Sequence, residues 1–131
     1  MAIVRAAELF KKESSAVFSK YGLTFSQYNI LRVLDRSETG QKNISDIRST
    51  MLVSGSRITG LAKRLEKKGL LIKRSNTSDE RTKILEITPK GSETLKNIFQ
   101  EKEEHLKKYL SKYSDDQKKE FFEAIKSILR S

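Results

Sequence analysis

The stretch that decides the fold begins at Ser54 and ends at Gly69: SGSRITGLAKRLEKKG. Ser54 is a favourable N-cap, because its hydroxyl can accept a hydrogen bond from a free backbone N–H of the first turn. Gly69 stands where helices commonly end in a left-handed residue. Between them, apolar residues recur at helical spacing and form one stripe, made of Ile58, Leu61, Ala62 and Leu65. The pattern predicts an amphipathic helix over residues 54–68.

The opposite face of this helix is polar and basic. It carries Ser56, Arg57, Thr59, Lys63, Arg64 and Lys67, with Glu66 as its one acid. The chain has 131 residues and a formal net charge of +10, and residues 41–90 hold 12 basic and 5 acidic groups of that total. A Lys-rich surface that merely aids solubility is one interpretation. Concentration of the charge in one segment favours the other, a surface that binds a polyanion.

The residues before the basic helix predict a shorter helix and a turn. A loop is predicted over residues 37–41. Asn43 then caps a helix over residues 43–49, with Asp46 at the capping-box position and Ile44 and Ile47 facing inward. Residues 50–53 are the predicted turn. Two helices joined so briefly are typical of a helix-turn-helix, although other helical hairpins share the pattern.

The residues after the basic helix predict a β-hairpin. Residues 70–75 and 81–87 have strand-like composition, and residues 76–80 between them are rich in turn formers. Thr88 then caps a new helix with Pro89 in its first position. The predicted fold class is therefore mainly α with a small β-hairpin wing, a winged helix-turn-helix.

Four further helices flank this core segment. Residues 2–20 predict an amphipathic helix with Phe10 and Phe18 as its large apolar residues, packing either within the subunit or against a second subunit. Residues 23–35 predict a helix opened by a capping box of Thr24 and Gln27. A long helix is predicted from Pro89 to Tyr113. A last helix follows, with Ser114 and Gln117 as its capping box and an apolar stripe that needs a partner surface: Phe121, Phe122, Ile125, Ile128 and Leu129.

Residues 24–91 resemble the MarR family (multiple antibiotic resistance regulators) of winged-helix transcriptional regulators. The resemblance runs through LTFSQYNILRVL at 23–34, ISDIRSTMLVSGSRITGLAKRLEKKGLLIKRS at 44–75, and a wing that contains Asp79 and Arg81 and leads into LEITPKG at 85–91. Two residues depart from the family pattern. Lys42 stands where the family usually has an apolar residue, and Gly60 lies in mid-helix at a cost of about 1 kcal/mol relative to Ala.

The resemblance implies one MarR-type domain over residues 1–131. Residues 24–91 would be the DNA-binding part, and residues 1–22 and 92–131 a helical dimerisation part. It also implies a homodimeric repressor of transcription that binds double-stranded DNA at a pseudo-palindromic operator and is released by a small aromatic or anionic effector. The alternatives are a winged helix that binds RNA and one that serves as a protein-interaction module.

The candidate DNA contacts lie on the basic helix and the wing. Short polar and basic residues at the N-terminal end of such a helix can reach base edges and nearby phosphates, and here they are Ser54, Ser56, Arg57 and Thr59. The guanidinium of Arg57 matches O6 and N7 of guanine. Lys63 and Arg64 are assigned to phosphates; the simpler interpretation is that Thr59 and Lys63 only face solvent.

The resemblance places Arg81 of the wing in the minor groove, where negative potential attracts arginine, with Asp79 orienting it. Arg74, together with Lys73 and Lys83, could hold flanking phosphates or simply form solvated strand faces.

Several classes of protein are not indicated. The chain has no cysteine and a single histidine, His105, so thiol chemistry is excluded and a metal site is not predicted. No nucleophile–base pair or phosphate-binding glycine loop is visible, so an enzyme is not predicted, and no cofactor is indicated. No apolar run approaches the roughly 20 residues of a membrane span, and the N-terminus lacks the apolar core of a signal peptide. We expect a soluble, cytoplasmic protein.

Overall fold

The computed structural model describes residues 2–51, 54–75 and 83–130. In chain order the elements are α1 (Ala2–Lys20), α2 (Phe25–Arg36), β1 (Gln41–Asn43), α3 (Ile44–Met51), α4 (Gly55–Lys67), β2 (Leu71–Ser75), β3 (Lys83–Ile87), α5 (Pro89–Leu110) and α6 (Asp115–Arg130). Helix α3, helix α4 and the β2–β3 pair follow one another as predicted. The fold class, mainly α with a small β-hairpin in a winged helix-turn-helix, is confirmed.

The predicted capping residues fix where the helices begin. At α2 the capping box is complete: Thr24 Oγ1 accepts from Gln27 N at 3.2 Å, and Gln27 Oε1 accepts from Thr24 N at 2.9 Å. At α3, Asn43 Oδ1 accepts from Asp46 N at 2.7 Å. The first N–H groups of a helix have no acceptor within it, so these side chains supply the missing partners.

Among the described residues the sheet has three strands, one more than the predicted hairpin. β2 and β3 are antiparallel, in register from Leu71 opposite Ile87 to Ser75 opposite Lys83. β1 pairs antiparallel with the other edge of β3, which gives the order β1-β3-β2. The predicted loop over 37–41 is therefore wrong at Gln41. The β1 residues Gln-Lys-Asn have little strand propensity of their own, and pairing with β3 is what makes them a strand.

The core packs α2 and α4 against the sheet. Ile30, Leu31 and Leu34 of α2 are completely buried, and so are Leu71 of β2 and Leu85 of β3. Burial of one such side chain contributes about 1.5–3 kcal/mol relative to leaving it in water. The apolar stripes of the sequence therefore define one core, which holds α4 in place.

Helix α1 divides into a packed end and an exposed end. Phe18 is buried, and its ring stacks on that of Tyr28 with the centroids 4.3 Å apart. Phe10 stays 40% exposed, and Ile3 is 80% exposed. Packing within the subunit is thus confirmed for the C-terminal end of α1, and the role of its more exposed part stays a prediction.

Helix α5 ends three residues earlier than predicted, at Leu110. Tyr113 N donates to Leu110 O at 3.0 Å, which closes a turn after the helix. The next residue, Ser114, already belongs to the predicted capping box of α6: its Oγ accepts from Gln117 N at 3.2 Å, and Gln117 Oε1 accepts from Ser114 N at 2.9 Å. Helix α5 therefore ends before Tyr113, because the turn after Leu110 leads directly into the capping box of α6.

Two other boundaries differ slightly from the prediction. α3 runs through Thr50 to Met51, so the turn does not begin at residue 50, and residues 52 and 53 lie outside the described ranges. The hydroxyl of Thr50 donates to Asp46 O at 3.0 Å, a bond within the last turn of the helix. β2 begins at Leu71 rather than Leu70, because Leu70 N still donates to Leu65 O of α4 at 3.1 Å.

The chain divides into two compact units between Phe99 and Gln100. The first contains the winged helix-turn-helix. The second contains the end of α5 and the whole of α6, and α6 buries none of its residues. The predicted apolar stripe of α6 is exposed to solvent: Phe121, Phe122, Ile125, Ile128 and Leu129. Within the described ranges, no helix combines the length and apolar character needed to cross a membrane.

Candidate nucleic-acid interface

Helix α4 is fixed on its inner side and open on its outer side. Ile58, Ala62 and Leu65 are completely buried, and Leu61 is half-buried, as the stripe predicts. The outer side consists of exposed residues: Ser56, Arg57, Gly60, Lys63, Arg64 and Lys67. Because the inner residues are locked in the core, the helix cannot roll, and the outer side chains leave a backbone of fixed orientation.

The three cations assigned to DNA contacts on α4 face solvent. Arg57, Lys63 and Arg64 are exposed, and within the described ranges their side chains make no ion pair or hydrogen bond. The one acid of the helix is occupied, since Glu66 Oε2 accepts from the backbone N of Lys73 at 3.1 Å. The positive charge of this face is therefore available to an external anion.

The hydroxyl groups of α4 are partly used by the helix itself. Ser54 Oγ accepts from Arg57 N at 3.4 Å and lies 3.4 Å from Ser56 Oγ. The predicted N-cap is thus confirmed, and Ser54 serves the helix first. Thr59 is half-buried, and its hydroxyl donates to Gly55 O at 3.0 Å. Ser56 and Arg57 remain the most accessible polar side chains of the first two turns.

One cation beside α4 was missed at the sequence level. Arg48 on α3 is exposed, and its Cδ lies 3.9 Å from the point that a Cβ on Gly55 would occupy. It thus stands next to the N-terminal end of α4. The sequence offers no signal for it beyond membership in the basic segment, because its distance to α4 depends on the angle between the two helices.

The C-terminal end of α4 is closed by a full set of backbone bonds. Gly69 has φ +75°, which a left-handed cap requires and glycine adopts without strain. Gly69 N donates to Glu66 O at 2.9 Å and Leu70 N to Leu65 O at 3.1 Å, the two bonds of a Schellman motif. The hydroxyl of Thr88, just before α5, donates to Gly69 O at 2.7 Å. These bonds fix the direction in which the chain leaves α4.

Two lysines of the basic segment, residues 41–90, use their ammonium groups to hold backbone carbonyls near the end of α4. Lys90 Nζ donates to Lys68 O at 3.0 Å, and Lys68 Nζ donates to Gly22 O at the end of α1. Both ammonium groups thus satisfy carbonyls at chain reversals, a favourable use of lysine beside helix C-termini. Neither was singled out from the sequence, since both contacts join residues far apart along the chain.

The hairpin holds its arginine in an ion pair. Arg74 Nη2 of β2 lies 2.8 Å from Glu86 Oε2 of β3, with the Arg74 side chain 59% exposed and that of Glu86 23% exposed. Lys73 and Lys83 are half-buried at the same hairpin. Arg74 is therefore at the surface as predicted, but with a carboxylate already bound to it.

The two wing residues with the most specific assignments, Asp79 and Arg81, lie outside the described residues. Their placement stays a prediction. What the structure does establish is the base of the wing, since Ser75 and Lys83 are paired across β2 and β3 at its root.

Comparisons with known proteins bear on this arrangement. A sequence profile of the MarR family matches residues 21–82. The transcriptional repressor MdtR of Bacillus subtilis is 30% identical over 112 residues, which are 83% of this chain and 71% of MdtR. The chain belongs to the MarR family. The resemblance that the sequence motifs indicated is confirmed.

Solved structures agree with this assignment. Sco5413, a MarR family transcriptional regulator from Streptomyces coelicolor, superposes with a TM-score of 0.71 at 28% identity and covers 97% of this chain and 87% of its own. Sco3205 from the same organism, solved in complex with DNA, has a TM-score of 0.75 at 19% identity and covers 98% and 81%. This MarR-family protein is a DNA-binding transcriptional regulator, and its relatives are regulators rather than enzymes.

Proposed function

We propose that this protein is a homodimeric repressor that inserts α4 of each subunit into the major groove of a pseudo-palindromic operator. One observation carries the proposal: the outer face of α4 presents Arg57, Lys63 and Arg64 without internal partners in the described ranges, on a helix locked by its buried face. In the helix-turn-helix mode, the N-terminal residues of such a helix reach base edges. We assign Ser56 and Arg57 to base edges.

We assign the remaining cations of this region to the DNA backbone. Lys63 and Arg64 lie further along the exposed face of α4, and Arg48 stands beside its N-terminal end. Long side chains of this kind neutralise phosphates and fix the register of the protein without selecting a sequence. Ser54 contributes mainly as the N-cap of α4, and the hydroxyl of Thr59 already donates to Gly55 O.

For the wing we retain the assignment that the family resemblance implies. Arg81 enters the minor groove and Asp79 orients it. The paired strands β2 and β3 support this proposal, because they give the intervening segment a firm base. We assign Arg74 to a phosphate contact, in which the phosphate competes with the Glu86 carboxylate for the Arg74 guanidinium.

We propose that residues 24–91 form the DNA-binding part and that residues 1–22 and 92–131 form the dimerisation part. Support comes from large apolar side chains that lie open at both ends of the chain: Ile3 and Val4 in α1, Phe99 and Leu106 in α5, and Phe121, Phe122, Ile128 and Leu129 in α6. Exposed apolar surface on this scale marks an interaction site. Sedimentation at micromolar concentration should give twice the 15.1 kDa of one chain; a monomer would contradict the dimer.

Family membership supports two further proposals, a small effector and a cytoplasmic location. We infer that a small aromatic or anionic effector releases the DNA, and that the protein acts in the cytoplasm, where a regulator meets its operator. A benzoate-type carboxylate should raise the melting temperature of the protein, because a ligand that binds the native state stabilises it. The same compound should weaken operator binding, and a compound that does neither is not the effector.

The decisive experiment separates base contacts from phosphate contacts. Operator sequences are first selected from random duplexes. Arg57→Ala should then weaken operator binding by about 1–3 kcal/mol and relax the preference at one base pair per half-site. Lys63→Ala is the control, because loss of a phosphate contact should weaken operator and random duplex alike. Equal losses on both duplexes for Arg57→Ala would contradict its assignment.

Duplex RNA is the control polyanion for the same basic face. Competition between duplex DNA and duplex RNA of equal length distinguishes the two. The major groove of B-DNA admits a helix, whereas that of A-form RNA is too deep and narrow. We therefore expect DNA to displace the labelled operator and RNA to fail at equal concentration.

A further inference from the structure

The outward face of α4 has a gap at its centre, at Gly60. With about 100° per residue, Gly60 lies about 200° around the helix from the buried Ile58, so it points away from the core. Its neighbours on the helix surface, three and four residues away in each direction, are all exposed and polar: Ser56, Arg57, Lys63 and Arg64. The middle of the basic face therefore carries bare backbone.

Nothing inside the described protein requires glycine at this position. The glycines with positive φ are Gly22, Gly40 and Gly69, so Gly60 has no left-handed conformation that would exclude other residues. Apart from the adjacent backbone of its own helix, a Cβ at Gly60 would meet no heavy atom of the described residues within 4 Å. Alanine is a far better helix former than glycine. The helix is thus weakened at a place where alanine would fit without contact.

We propose that Gly60 sets how closely α4 approaches the base pairs, and that it is a positioning residue for sequence recognition. The proposal rests on the proposed insertion of α4 into the major groove. That groove is about 12 Å wide, and a helix with its side chains is about 10–12 Å across, so a single outward methyl group matters. Without a side chain at Gly60, the backbone itself can reach the groove floor.

The side chains around Gly60 indicate which end of α4 comes closest. Ser56, one turn earlier on the same face, is short and reaches a base edge only if the backbone lies near it. Lys63 and Lys67, about one and two turns later, are long and can reach phosphates from a greater distance. The N-terminal half of α4 therefore lies deeper in the groove than its C-terminal half, with Gly60 at the transition.

The test compares Gly60→Ala with Gly55→Ala. The control adds the same methyl group to the same helix, but at its half-buried first residue, where the nearest heavy atom is Arg48 Cδ at 3.9 Å. The melting temperature of each protein is measured by circular dichroism. Affinities for the selected operator and for a random duplex of equal length are measured by fluorescence anisotropy, with Arg57→Ala in the same series.

Gly60→Ala should raise the melting temperature by about 2–8 °C. It should lower operator affinity by about tenfold, within the range for one lost base contact, and leave random-duplex affinity within about twofold of wild type. Gly55→Ala should keep operator affinity. A loss of affinity in a more stable protein cannot come from misfolding.

Three results would overturn the inference while leaving the proposed function intact, provided that Arg57→Ala weakens operator binding in the same assay. These are unchanged operator affinity for Gly60→Ala, an equal loss on operator and random duplex, and a lowered melting temperature. The second would show general obstruction, and the third would show that the fold itself needs glycine. Failure of the wild-type protein to bind any duplex would overturn the proposed function, and this inference with it.

Discussion

The ion pair at the wing leads to a prediction in which breaking a salt bridge strengthens DNA binding. Arg74 Nη2 lies 2.8 Å from Glu86 Oε2. That oxygen is shielded from solvent and, within the described ranges, accepts no well-aligned hydrogen bond, so the arginine is its charge partner. The charge of Arg74 is largely compensated by Glu86, and a phosphate must compete with that carboxylate.

Glu86→Gln removes the carboxylate and keeps the shape of the side chain. Since the pair is partly exposed, the free energy of unfolding should fall by no more than about 1 kcal/mol. Each subunit then offers one more uncompensated cation to DNA. The slope of log affinity against log salt should steepen by about 0.9 per subunit, so affinity should change by an additional factor of about 3.5 per subunit between about 50 and 200 mM salt.

Binding is measured by fluorescence anisotropy on a random duplex at several salt concentrations. A melting curve of each protein is recorded at each salt concentration. Arg74→Ala in the Glu86→Gln protein is the matched control, because it removes the released cation and should restore a slope close to that of the wild type. An unchanged slope in Glu86→Gln alone would refute the reasoning and would remove Arg74 from the DNA interface.

Three more predictions concern the fold and the wing. Gly91→Ala should destabilise the protein by more than about 3 kcal/mol, since a Cβ would lie 2.2 Å from Leu70 O; an unchanged urea midpoint would contradict this close contact. Thr24→Ala should lower the free energy of unfolding by about 0.5–2 kcal/mol through loss of the α2 cap, measured by the same urea titration; Thr24→Ser should retain most of the stability of the wild type. Arg81→Ala should lower affinity mainly on operators with A·T-rich flanks and flatten the salt slope, and Asp79→Ala should do the same more weakly; unchanged affinity and slope for Arg81→Ala would exclude the wing from the interface.

Local signals in the sequence predicted most of the fold correctly. A capping box such as Thr24 with Gln27 involves residues three apart, so its geometry is contained in the sequence itself. The same holds for the apolar spacing that buries Ile58 and Leu65, and for the glycine that ends α4. These features depend on neighbours within one or two turns, and they fixed the order of helices and the hairpin.

Features that depend on distant contacts could not be predicted. β1 becomes a strand because Lys42 and its neighbours pair with β3, more than 40 residues away, and its composition alone predicts a loop. Lys42 there departs from the family pattern in its side chain, yet its backbone still pairs opposite Leu85. The end of α5 was placed three residues too late for a different, local reason: a turn closes after Leu110, and the capping box of α6 follows it directly at Ser114.

At the candidate interface, too, the sequence gives the type of each residue but not the contacts that its side chain makes in the fold. Residues 41–90 contain 12 basic side chains, and composition counts them equally. In the structure, Lys68 and Lys90 bind backbone carbonyls and Arg74 binds Glu86. These three stabilise chain reversals and the hairpin, and they offer little free charge to a polyanion.

The number of cations in the segment is therefore an upper limit on its electrostatic footprint. A lysine donating to a carbonyl keeps its formal charge, but its ammonium is held where the fold needs it. Arg57, Lys63 and Arg64 differ because their helix is held in place by buried apolar residues on its other side, so no cation of that face is needed for stability. In this protein the buried face of α4 maintains the orientation of the helix, so the residues of its outer face are not needed to hold it in place, and that face includes a helix-weakening glycine at its centre.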